Sequence, residues 1–187
     1  MTLTEVAESI LHACEVSLEG MGHAASVSVV VPQEGRPMWH LPLLRTPAEK
    51  WAYFDSLAER AEREKPLMIA FGGEAWVMKI AQEKMRWTSP DEREELLRRG
   101  TTWLVEHGYG TRSEVISITV QNIDQAYFLD VPFRRVEHGA VVWQKPVHRT
   151  IFQAELDAAT NAIKFYRHVP FTGKHTGIEA SHGNAAR

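Results

Sequence analysis

The sequence predicts an α+β domain with a mainly antiparallel sheet of about four to five strands, helices packed on one face, a C-terminal helix and a flexible tail. Segments with apolar residues every three or four positions alternate with β-branched segments, and these two patterns are typical of amphipathic helices and of strands. Three β-branched segments near the C-terminal third follow one another with short turns, which favours an antiparallel meander. A length of 187 residues suits one domain, which we place at residues 1–171, followed by a disordered polar tail at 172–187.

The first helix is predicted from a capping signal and an apolar stripe. The capping box at residues 2–5 precedes apolar residues at helical spacing, and two glycines end the pattern. Cys14 lies on this stripe, so we interpret it as a small buried hydrophobe. Residues 25–31 alternate in the manner of a strand, and residues 38–44 predict a second strand that Pro42 confines to the edge of the sheet.

The second helix has the strongest local signal. Residues 46–49 combine a capping box with proline at the first helical position, and apolar residues at helical spacing continue until Pro66 ends the helix. Residues 67–80 then predict a long strand, and its Gly72-Gly73 pair predicts a bulge or a bend in mid-course.

The remaining elements are an insertion, the meander and a last helix. Residues 81–111 predict a helical insertion, because the segment from Ser89 to Glu92 again combines a capping box with proline. The meander strands are predicted at 114–121, 127–133 and 140–147.

A terminal helix is predicted to begin at Thr150 and to carry an apolar seam. We expect the seam to dock on the sheet, and the alternative is that it pairs with a second copy of the chain. Its members are Phe152, Leu156, Ala159, Ile163 and Tyr166.

Composition excludes several classes of protein. The formal net charge of −3 provides no basic field for nucleic acid or for an anionic membrane, and one cysteine excludes an internal disulfide framework. The N-terminal segment has neither the basic nor the apolar region of a secretory signal, and no apolar run is long enough to span a bilayer. We therefore expect a cytoplasmic protein with no membrane partner.

No motif of a common enzyme class occurs in the chain. A Walker loop, a dinucleotide-binding fingerprint, zinc-protease and deaminase motifs, an EF-hand loop and a nucleophile elbow are all missing from the sequence. We predict no cofactor and no metal site. His168, His175 and His182 recur every seven residues in or near the tail, where they lack the fixed geometry of a native metal site.

A small-molecule site is nevertheless conceivable around Gly72, Gly73 and Glu74. The glycines would let a ligand approach the backbone, and Glu74 would act as a base or as an acceptor, whereas the structural alternative is a bulge with a solvated carboxylate. His40 and His148 are the histidines best placed to act with Glu74 as catalytic candidates.

A basic cluster offers a further alternative. Arg134, Arg135, Lys145 and Arg149 could contact phosphates at one end of the meander, and Trp143 could stack on a base. Paired arginines more often solvate a sheet edge, so the sequence favours that interpretation over nucleic-acid binding.

One combination of short motifs resembles a known pattern. The strings Glu74-Ala-Trp-Val77, Arg112-Ser-Glu-Val115 and Arg134-Arg135 resemble a pattern in uncharacterised bacterial and phage hypothetical proteins, across residues 67–135. The resemblance implies no activity. It implies that Glu74, Trp76, Arg112 and Glu114 lie near one another as ligand-binding candidates, with a Glu–Arg pair bridging neighbouring strands.

These observations favour a non-catalytic accessory or regulatory protein that acts through contacts with an unidentified protein. Trp87 and Trp103 flank the charged insertion, where burial requires either folding back or a second subunit, so we expect a homodimer. The alternatives are a small-molecule-binding protein or hydrolase with a pocket near residues 72–74 and, second, a nucleic-acid-binding protein.

Overall fold

The structure is a computed structural model that describes residues 1–81, 101–136 and 140–152, together with residues 83, 89, 92, 96, 99, 155, 165 and 166. The tail, Trp87, part of the predicted insertion and most of the predicted terminal helix lie outside the described residues. In the described part, the predicted α+β class is confirmed. The helices are α1 (Leu3–Met21), α2 (Pro47–Glu64) and α3 (Thr101–Glu106), and the strands are β1 (Val27–Val31), β2 (Met38–His40), β3 (Met68–Ile80), β4 (Gly110–Gln121), β5 (Gln125–Arg135), β6 (Val141–Trp143) and β7 (Val147–Phe152).

The strands of the described residues all belong to one antiparallel sheet, which is larger than predicted. It has seven strands in the order β2-β1-β3-β4-β5-β6, and β7 also pairs with β5. One of the additional strands is β7, which begins at Val147, where the predicted third meander strand ends, and covers the residues at which the terminal helix was predicted to begin. Phe133 pairs with Trp143, whereas Asp130 pairs with Val147, so the register advances by one residue between β6 and β7. Pro146 lies at this step, where a residue without an N–H group cannot continue the ladder.

Strand β7 displaces the predicted start of the terminal helix. Thr150 does not cap a helix, because it lies in β7 and pairs with Tyr127. The backbone N–H of Phe152 instead donates to the Glu155 carboxylate at 3.1 Å, which is one half of a capping box. The predicted cap at Ser89 is confirmed, since Ser89 and Glu92 exchange backbone-to-side-chain hydrogen bonds of 2.8 and 3.3 Å.

Helix α1 forms as its sequence predicts. Thr2 and Glu5 make a complete capping box, and Gly22 ends the helix in the left-handed region with φ 77°, donating its N–H to the Leu18 carbonyl at 2.9 Å. The apolar stripe is buried against β1, β3, β4 and β5. Its buried members are Leu3, Val6, Ala7, Ile10, Cys14 and Leu18.

The prediction that all helices share one face of the sheet is wrong. Val29 belongs to the core beneath α1, whereas its neighbour Val30 belongs to a second core beneath α2. Successive strand residues point to opposite faces, so the two helices cover opposite sides. The physical reason is that every residue of β1 is buried, and β3 begins with consecutive apolar residues. Such strands are typical of a sheet buried on both sides.

Of the two alternatives predicted at Gly72-Gly73, a bulge or a bend, the bulge is wrong. β3 and β4 pair without interruption from Ile69 opposite Gln121 to Ile80 opposite Gly110. Gly72 serves close packing instead, because a Cβ there would lie 2.5 Å from Ile10 Cγ2 of α1. No helix in the described residues is long and apolar enough to cross a membrane.

The contact at Gly72 leads to a test of stability. We expect Gly72→Ala to lower the free energy of unfolding by about 1–3 kcal/mol through overpacking. Gly73→Ala is the matched control, because its nearest neighbours lie at 3.4 Å, and we expect a change within about 0.5 kcal/mol. Urea denaturation measures both. Combining Gly72→Ala with Ile10→Ala should destabilise less than the two single changes added together. If the two free-energy changes are fully additive, the proposed contact between Gly72 and Ile10 is wrong.

The buried thiol of Cys14 predicts how the stability of the protein depends on pH. Burial, with a smaller effect of Glu15, raises the pKa of the Cys14 thiol to about 12. The unfolded value is about 8.5, so the thiol's contribution to stability is complete below that pH and is lost as pH rises through about 12. We expect the wild type to lose stability relative to Cys14→Ala over this alkaline range in urea titrations. A constant difference between the two proteins would show that the thiol ionises as readily in the folded state.

Candidate functional site

A polar cluster begins where α1 ends. The strands β3, β4 and β5 continue past the helix terminus, and the same alternation that puts apolar residues under α1 puts charged and aromatic residues on this face beyond it. We call these residues the α1-terminal cluster. It consists of Glu74, Trp76, Arg112, Glu114 and Arg135.

Arg135 is the centre of the cluster. Its Nη2 donates to both oxygens of Glu74 at 2.9 and 3.0 Å, and its Nη1 donates to Glu114. Nη2 also lies 3.3 Å from the Gly22 carbonyl, and the Ala24 N–H donates to Glu74 at 3.3 Å. One guanidinium therefore ties three strands to the segment that follows α1.

The electrostatic environment of Arg135 favours its charged form. Desolvation lowers the pKa of Arg135, but the hydrogen bonds and charges of Glu74 and Glu114 together outweigh it and raise the pKa. Glu74 accepts donors on both oxygens, so in this structure the carboxylate is a structural acceptor. Glu114 on β4 and Arg135 on β5 thus form a Glu–Arg pair between neighbouring strands, in which the arginine is Arg135 and not Arg112.

Trp76 and Arg112 form the outer part of the cluster. The Arg112 guanidinium carbon lies 3.6 Å from the centroid of the Trp76 ring, which is a cation–π stack. Trp76 pairs with Glu114 across the strands and remains 49% exposed. The residues grouped by the sequence pattern thus lie together, and a role for them in ligand binding stays a prediction.

The two candidate histidines lie apart from Glu74. His40 is on β2, on the face covered by α2, where its Nε2 lies 3.4 Å from Nη1 of Arg60. His148 is on β7, beside Tyr127, with ring centroids 6.4 Å apart. Two strands separate β7 from β3, so His148 is about 14 Å from Glu74 by strand spacing alone.

The glycines offer limited room for a ligand. The position above Gly72 is filled by Ile10 and by Ile118, whose Cγ1 would lie 2.8 Å from an added Cβ. Gly73 faces Ser26 on the other side of the strand. Among the described residues, no group of three or more histidine, cysteine or acidic side chains could hold a metal ion.

The four basic residues of the nucleic-acid alternative occupy different surroundings. Arg135 is held by carboxylates, whereas Arg134 points to the opposite face and is exposed. Arg149 lies over the Phe128 ring at 5.1 Å, and Lys145 is exposed at the step between β6 and β7. Trp143 packs against Phe133 with ring centroids 5.6 Å apart.

Trp103 contacts aromatic and basic residues of its own chain. It stacks on His107 at 3.9 Å and lies 6.0 Å from Tyr109, and the guanidinium carbon of Arg99 is 4.8 Å from its ring centroid. This aromatic stack explains how Trp103 becomes partly buried by local folding.

A run of exposed apolar side chains that was not anticipated from the sequence begins on the edge strand β2 and continues to the start of α2. We call residues 38–51 the edge segment. Its exposed apolar side chains, with their exposed fractions, are Trp39 (47%), Leu41 (73%), Leu43 (74%) and Trp51 (57%). The sequence contains a signal for this exposure. Pro37 precedes a run of large apolar residues and Pro42 interrupts it, and these prolines prevent a long central strand in which all of the apolar side chains could be buried.

Comparison of the sequence with family profiles, with curated proteins and with solved structures finds no match. The resemblance carried by Glu74, Trp76, Arg112 and Glu114 therefore stays a prediction.

The role of Arg135 can be tested by a pair of neighbouring substitutions. We expect Arg135→Met to lower the free energy of unfolding by about 1–3 kcal/mol, because it leaves two partly buried carboxylates facing each other. Arg134→Met is the matched control, since this exposed arginine lies on the other face, and we expect a change within about 0.5 kcal/mol. Equal effects in chemical denaturation would contradict the structural role of Arg135.

Proposed function

We propose that this protein is a non-catalytic accessory or regulatory protein that acts through protein contacts, and that the edge segment is its contact surface. The observation that carries the proposal is that the side chains of Leu41 and Leu43 are 73% and 74% exposed. The same segment of the chain contains two half-exposed tryptophans. Exposed apolar groups of this size, concentrated in one segment, mark interaction surfaces. Tryptophan is also enriched at the energetic centres of interfaces.

The occupant that we propose is a second copy of the chain. In the described part of the sheet, β2 pairs on one side only, with β1, so its other side offers free backbone N–H and C=O groups. Antiparallel pairing of β2 with its own copy is compatible with two-fold symmetry, in which one surface contacts itself. Pro37 and Pro42 limit this pairing to a few residues, so the apolar side chains would supply most of the buried area.

The arrangement of Glu74 gives less support to the hydrolase alternative. Glu74 is engaged by Arg135 and by the Ala24 N–H, and both candidate histidines lie elsewhere. For the location, we propose the cytoplasm, because the single cysteine is free and buried and needs no oxidising compartment. An unidentified protein partner remains part of the proposal.

Sedimentation velocity tests the dimer. We expect the wild type to sediment as a species of twice the chain mass of 21.2 kDa, and the double variant Leu41→Asp, Leu43→Asp to sediment as a monomer. Val147→Asp is the matched control, because Val147 is an exposed apolar residue in the edge strand β7. It should leave the dimer intact.

The fold of each variant is checked by circular dichroism and thermal melting, because the substituted leucines are exposed and should tolerate aspartate. A wild type that stays monomeric at all concentrations would overturn the proposal. So would a dimer that persists in the double variant and dissociates in Val147→Asp.

A further inference from the structure

Strand β3 extends well beyond its neighbour β1. β1 pairs with β3 only as far as Gly72, whereas β4 pairs with β3 up to Ile80. We call residues 75–80 the β3 extension. Among the described residues, no strand pairs with the β3 extension on the side of β1. Residues of an antiparallel strand direct their backbone groups to alternate sides, so about half of the N–H and C=O groups here face an unpaired edge.

The chain that leads into β1 contacts β3 only before the extension begins. The Ala24 N–H donates to the Glu74 carboxylate at 3.3 Å, and Ser26 lies 3.4 Å from the position of a Cβ on Gly73. Within the described residues, the β3 extension has no backbone hydrogen bonds other than those of its pairing with β4. The edge is therefore open to a further strand.

The β3 extension lacks most of the features that usually protect an open edge. Proteins blunt such edges with prolines, bulges, charged side chains or very short strands. The extension contains no proline, it pairs with β4 without a bulge, and Lys79 is its one charged residue. The edge strand β2, by contrast, spans three residues between Pro37 and Pro42. The β3 extension is thus the better template for a long added strand.

The two faces of the sheet beside this edge differ in chemistry. On one face, Trp76 is 49% exposed. Arg112 stacks on the indole from β4, on the paired side of β3, so the other face of the ring is turned towards the unpaired edge. On the opposite face of the sheet, Val77 is 41% exposed, and Lys79 follows it two residues later. An added strand would therefore meet an aromatic ring on one face and an ammonium group on the other.

The uncompensated charge beside the β3 extension is positive. Within the described residues, neither Lys79 nor Arg112 forms an ion pair. Glu74, which precedes the extension, and Glu114, which pairs with a residue of the extension, are both bound by Arg135. The two carboxylates are thus partly neutralised, and the edge attracts acidic groups more than basic ones.

We propose that the β3 extension binds an extended peptide segment of a partner protein, in which apolar residues alternate with acidic ones. The peptide backbone adds a strand to the sheet, and main-chain hydrogen bonds supply part of the affinity. Alternation places the apolar side chains of the peptide on the face of Trp76 and its carboxylates on the face of Lys79. The surface lies at the opposite end of β3 from the strand pairing with β1 and β2, so it is separate from the edge segment and does not depend on the proposed dimer.

The probe is a fluorescein-labelled heptapeptide of alternating valine and glutamate, and its control is the same peptide with lysine in place of glutamate. Fluorescence anisotropy measures the affinity of each peptide for the full chain. We expect the glutamate peptide to bind about tenfold more tightly than the lysine peptide, because like charges at the edge oppose pairing. Hydrogen exchange read by mass spectrometry should show slower exchange at residues 75–80 when the glutamate peptide is bound, since an added strand satisfies their open N–H groups.

Two charge reversals at exposed lysines test the recognition of acidic residues. We expect Lys79→Glu to lose the preference for the glutamate peptide and Lys145→Glu, the matched control on the β6–β7 edge, to keep it. Circular dichroism checks that both variants are folded. The double variant Leu41→Asp, Leu43→Asp should bind the glutamate peptide as the wild type does, so failure of the proposed dimer and failure of this site are distinguishable.

Three results would overturn the proposal. The first is that neither peptide binds or that both bind equally. The second is that the glutamate peptide binds without slowing exchange at residues 75–80, which would indicate a general anion site. The third is that exchange at these residues slows with rising protein concentration in the absence of peptide, which would assign the edge to a second copy of the chain.

Discussion

The contact of α1 with the backbone of β3 at Gly72 determines how the rest of the molecule is arranged. Because Gly72 has no side chain, Ile10 can lie directly over the strand, which brings the whole apolar stripe of α1 onto the sheet. The helix then ends above the strands at Gly22, and the face changes there from apolar to charged. Arg135 forms that boundary by joining the carboxylates of β3 and β4 to the chain leaving the helix.

The second core explains why the central strands tolerate so few polar residues. Val30, Ile69 and Phe71 face α2, while their neighbours along the strands face α1. Ser28 is the buried polar residue of β1, and it is satisfied by the Tyr53 hydroxyl of α2. The packing of α2 is thus specified by a polar contact as well as by apolar area, and Lys50 is held beside the same row of the sheet.

Local signals in the sequence predicted the elements better than their arrangement. The caps at Thr2, Thr46 and Ser89 are correct, because capping depends on residues within one turn. The helix start at Thr150 is wrong, because pairing with the distant Tyr127 makes Thr150 part of β7. The face occupied by α2, the role of Gly72 and the step at Pro146 depend on residues distant in sequence, so periodicity could not reveal them. The grouping of Glu74 with Arg112 was anticipated from a motif, whereas Arg135 as the residue that joins Glu74 to Glu114 required the strand register.

The one-residue register step between β6 and β7 has a consequence for aggregation. A foreign strand that extended along this edge in register with β7 would be one residue out of register with β6, so its side chains would point to the wrong face. Only short stretches of this edge can therefore template another strand, and charged or imidazole side chains interrupt them at His148 and Arg149. In the described part of the sheet, the β6–β7 edge is therefore a poorer template than the β2 edge, and this disfavours fibril growth, which needs pairing at both edges.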